Sequence, residues 1–61
     1  MIWVTDVKGG KVAINERHIV AVFKILEGEY AGKTGIGLSN AQVIVEEEDF
    51  VIVGQMANNY D

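Results

Sequence analysis

The sequence predicts a small, mainly β domain: five short antiparallel strands in meander order, curled on themselves, with a short C-terminal helix. Three observations predict it. Residues 33–39 alternate, with Thr34, Ile36 and Leu38 on one side and Lys33, Gly35, Gly37 and Ser39 on the other. That period of two marks a half-buried strand. Turn-forming residues recur at short intervals, at Lys8-Gly9-Gly10-Lys11, Asn15-Glu16-Arg17, 27–32 and Ser39-Asn40-Ala41. Proline is absent, so no segment is barred from a sheet.

Residues 2–7 form the first expected strand. The glycine pair after it accepts the positive φ of a hairpin turn. Residues 11–14 return, with Val12 and Ile14 inward, and Asn15 opens a short helical turn. Residues 18–26 are the third and longest strand. Ile19, Ala21, Phe23 and Ile25 alternate with Val20, Val22, Lys24 and Leu26, so both faces are apolar in the middle. A central strand covered on both sides reads this way. One cover is the C-terminal helix; the other is a curled sheet or a second subunit. Strands four and five occupy 33–39 and 42–46.

The C-terminal segment is open to two readings. Phe50-Val51-Ile52-Val53 is rich in β-formers. Glu46-Glu47-Glu48-Asp49 suits the positive end of a helix dipole, and Phe50, Val53 and Ala57 share a helical face. The acids tip the balance to a helix over about 47–55. Residues 1–57 are one domain and 58–61 a frayed tail. The expected core is Val4, Val12, Ile14, Ile19, Phe23, Ile36, Leu38, Val43 and Phe50.

At 61 residues the chain carries a single domain that buries only about 60% of its unfolded surface. It has no Cys and one His, so neither a disulfide nor a thiolate metal site reinforces it. Yet 49% of its residues are hydrophobic. A small, unstapled, apolar domain gains burial by self-association. The expected partner is a second copy, beside a protein of unidentified kind, and the expected interface is Trp3, Val20, Val22 and Ile44.

The formal charge of −4 repels phosphate backbones, and Lys8, Lys11, Arg17, Lys24 and Lys33 are scattered, so nucleic acid is a poor partner. No apolar run approaches the roughly 20 residues of a membrane span. The first residues carry neither a basic region nor a cleavage site, which with the lack of Cys points to the cytoplasm.

No catalytic or metal-binding set is legible, and no cofactor is expected. The acids at 46–49 lack the alternating ligands and turn glycine of a calcium loop. His18 has no nucleophile or orienting carboxylate assured by the sequence, and reads as a strand-edge histidine. Gly32-Lys33-Thr34 fails the phosphate-loop frame, because Glu27 stands where its first glycine belongs.

The stretch Gly28-x-Tyr30-Ala31-Gly32-x-x-Gly35-Ile36 resembles the KOW motif of SH3-like barrels that bind RNA or RNA polymerase. A broader resemblance spans about residues 2 to 53. Ile2, Thr5 and Gly9, then Ile14-Asn15, His18-Ile19 and Val22, then Thr34-x-Ile36-x-Leu38-Ser39-Asn40 and Val45-Glu46-Glu47, are similar to the FlbD-type family of small bacterial flagellar and swarming-motility proteins. Ala41 replaces that family's turn glycine, the loop at 27–32 is longer and more acidic, and the C-terminal segment is more β-branched. The resemblance implies a non-catalytic accessory protein of bacterial type. The alternative is a KOW-like, SH3-like module touching RNA or a transcription or translation complex.

Overall fold

The computed structural model describes residues 1–59, of which Asn59 is described in backbone only. The chain is mainly β. Strand β1 (Ile2–Thr5) and β2 (Lys11–Ile14) form one hairpin; β3 (Ile19–Lys24), β4 (Thr34–Leu38) and β5 (Gln42–Val45) form a three-stranded antiparallel sheet; α1 (Asp49–Asn59) follows. The segment after the acids is therefore a helix, longer than expected, and residues 58 and 59 belong to it. Of the expected frayed tail, 60–61 lie outside the described residues.

The single five-stranded sheet expected from the sequence is instead two sheets. Among the described residues their backbones pair at one bridge, Asp6 to Val45, with the Glu46 N–H donating to the Thr5 carbonyl at 2.8 Å. The ladder between β1 and β5 stops there because other groups take the rest of the β1 edge. Glu47 accepts from the Thr5 N–H at 2.8 Å. Gln55 of α1 accepts from the Trp3 N–H at 3.0 Å and donates to the Trp3 carbonyl at 2.9 Å. The helix thus satisfies the backbone groups that a neighbouring strand would otherwise pair.

The first turn is built by Asp6. Its carboxylate accepts from the N–H groups of Lys8 and Gly10, both at 2.9 Å, while Gly9 supplies the required φ of 89°. Asn15 caps the short 3-10 turn Glu16–His18, its side chain accepting from the Arg17 N–H at 3.0 Å. In the second sheet Ile36 lies between Val22 and Val43, and Gly35 between Phe23 and Ile44.

The core is Ile2, Val4, Ile14, Ile36, Val45 and Ile52, with Val12, Ile19, Val22, Leu38, Val43 and Met56 packed against it. Two expected core residues are outside it. Phe23 is 39% exposed because β3 carries a register shift between Ile19 and Ala21. The extra residue turns Ile19 and Val22 to the same side and sends Phe23 to the outer face. There its ring lies over Gly35, where a Cβ would sit only 2.5 Å from it. An aromatic ring covering a strand glycine restores the packing that the glycine lacks. Phe50 is 70% exposed because α1 turns Ile52 and Met56, not Phe50 and Val53, toward the sheets.

Strand β3 is also not central. Among the described residues it pairs with β4 alone. Its two-sided apolar pattern reflects the bulge and the adjoining helix, not cover by sheet on both faces.

Candidate interaction surface

The four expected interface residues do not gather in one place. Trp3, 58% exposed, projects from β1 on the side opposite Ile2 and Val4. Ile44 is half-buried on β5, across Gly35 from Phe23. Val22 is half-buried and packs against the core. Of the four, Val20, 71% exposed at the bulge, is the apolar side chain that stands free on β3 beside the helix.

Helix α1 presents an exposed apolar stripe that includes Phe50, a residue expected in the core. Phe50, Val53, Gly54 and Ala57 fall at i, i+3, i+4 and i+7, and all four are exposed. Residues 50–59 contain no charged side chain, although 23% of the chain is charged. A helix apolar on both sides belongs in a buried setting. The helical face shared by Phe50, Val53 and Ala57 is legible in the sequence; the structure turns it outward.

Between α1 and β3 runs an open groove of about 530 Å³. Its walls are β3 from Ile19 to Val22 and the side chains of Val53, Met56 and Ala57. A smaller recess of about 340 Å³ lies between β2 and the β4–β5 turn, with Asn15, His18 and Asn40 on its rim. His18 itself is exposed, and its carbonyl accepts from the Ser39 N–H at 3.1 Å.

Three of the acids at 46–49 have partners elsewhere in the fold. Glu46 pairs with Lys33 at 2.8 Å, and Glu48 lies 3.9 Å from Lys24. Glu47 bonds Thr5 twice, accepting from its hydroxyl at 3.0 Å as well as from its N–H. Among the described residues, no group of three or more His, Asp or Glu is placed to hold a metal ion. Nor is any helix among them long and apolar enough to cross a membrane.

Burial pushes the Glu47 carboxyl up, but the N–H of Thr5, its own N–H, the Thr5 hydroxyl and the charge of Lys11 outweigh it. The group stays below its ordinary value of 4.5. A carboxylate held low in the fold stabilises it above the unfolded value, and the contribution is lost as pH falls through the folded value. Stability from this tie is therefore full at neutral pH and fades below about pH 4.5. Glu47→Gln is expected to lower the melting temperature at pH 7 and to flatten its fall below that point. Thermal melts of both proteins across the acid range check this; parallel curves would refute it. Glu16 is lowered too, first by its hydrogen bond from the chain's terminal ammonium, and titrates in both proteins, so it cancels in the comparison.

No family model, curated protein or solved structure matches the chain.

Proposed function

We propose that this chain is a non-catalytic accessory module of bacterial type, as its resemblance to the FlbD-type motility family implies, and that it acts in the cytoplasm by self-association. The observation that carries the reading is the uncharged, outward-facing stripe of α1 beside Val20. An exposed apolar patch of this kind marks an interaction surface. The near-closure of the two sheets through the Asp6–Val45 bridge supports a curled, SH3-like description of the scaffold.

Sedimentation at micromolar concentration tests the reading, and the expected result is an assembly larger than one chain. Val20→Asp should weaken that assembly without unfolding the chain, since Val20 is exposed. Val22 is a poorer probe, because a charge there would also disturb the core. Added salt should tighten the assembly, because it screens the repulsion between copies of formal charge −4. A strict monomer at every concentration would overturn the proposal.

The KOW-like alternative is carried less far. Its site needs Lys8, Lys11, Lys24 and Lys33 on one face, and the ion pairs of Lys24 and Lys33 with Glu48 and Glu46 offset two of those charges. Binding to RNA that weakens with salt in a filter assay would favour it over self-association.

A further inference from the structure

We infer that two copies of this chain pair through antiparallel α1 helices, each seating its Phe50 in the groove between α1 and β3 of the other. The inference rests on the self-association proposed above and assigns its geometry.

The helix stripe is graded in size. Phe50 stands at its start and Ala57 two turns later, about 10 Å along the axis, with Val53 and Gly54 between them. A two-fold axis beside Val53 and Gly54 sets Phe50 of each copy against Ala57 of the other, large against small. A two-fold interface must be self-complementary in this sense. The small side chains at 54 and 57 let the helices approach closely.

The same molecule carries a receiving surface. Ala57 lines the groove, with Val53, Met56 and the apolar β3 residues around it. Phe50 is 70% exposed, so the described residues of its own chain cover little of it. Residues 50–59 carry no charge, so the contact buries no unpaired ion.

The competing mode, edge-to-edge pairing of β3, is disfavoured by the strand itself. The bulge at Val20 and the cation of Lys24 are devices that blunt an exposed edge. The helix stripe has no such device.

The contact is small. A helix of 11 residues is about 16 Å long, which places the interface at the low end of the usual size range. Phe50 is then its principal anchor, so Phe50→Ala should weaken association at least ~30-fold by sedimentation. Ala57→Glu, which places a charge against the incoming ring, should do the same. Both positions are exposed, so the separated chains should keep their circular dichroism and a cooperative melt, with only a small shift in midpoint. Orientation is read by cross-linking, since the natural chain has no Cys. Gly54→Cys, beside the axis, should form a disulfide-linked pair on mild oxidation, whereas Asn58→Cys, remote from its own copy, should not. A native chain that associates but ignores Phe50→Ala and Ala57→Glu overturns this geometry and leaves self-association standing. Efficient linking through Asn58→Cys overturns the antiparallel arrangement. A native chain that never associates overturns both proposals.

Discussion

Ile36→Asp is expected to abolish cooperative folding. Ile36 is completely buried at the centre of β4, flanked by Val22 on β3 and Val43 on β5. An aspartate there would be an unpaired charge with no described polar partner at its ladder positions. Burying such a group costs several kcal/mol, and the chain instead unfolds or protonates it. Total stability of a domain is typically about 5–15 kcal/mol, with the smallest domains at the low end. The melting transition should vanish and the β signal in circular dichroism collapse. A soluble variant with an unchanged cooperative melt would mean that β4 has a different register.

Ile52→Ala and Phe50→Ala, two residues apart, should part company in stability. Ile52 is fully buried and is the α1 residue that closes the core. Truncating it removes apolar contacts and leaves a cavity, a loss of about 2–5 kcal/mol. For so small a domain that is a large share of the total. Phe50 points outward, so its truncation should move the stability of the single chain by only about 0.5 kcal/mol. Urea unfolding at concentrations low enough to keep the chains apart gives the comparison. Equal losses, or the larger loss at Phe50, would mean that the helix turns its other face to the sheets.

This contrast shows where the sequence could be read and where it could not. The strands were legible because β4 alternates cleanly, with Thr34, Ile36 and Leu38 against Gly35 and Gly37. The helix was legible as a helix, because acids precede an apolar run. Its inner face was not. Residues 50–57 are apolar apart from Gln55, so periodicity offers Phe50, Val53 and Ala57 as readily as Ile52 and Met56. The same ambiguity puts Phe50 in the expected core, whereas the structure leaves it exposed. Phe23 was lost for a different reason: a bulge adds a residue to one strand, and a pattern of strict alternation reverses beyond it.

By itself the sequence determined the local structure: five β segments, their turns at Gly9 and Asn15, and a terminal helix. Each follows from contacts or conformational preferences within a few residues. The tertiary structure alone decided that the strands divide into two sheets, that β3 is an edge, and that α1 leaves Phe50 outside. Those outcomes depend on pairings such as Gln55 with Trp3, 52 residues apart, and Glu47 with Thr5, 42 apart. A polar side chain can satisfy a backbone edge from anywhere in the chain, and no local period records which edge it will meet.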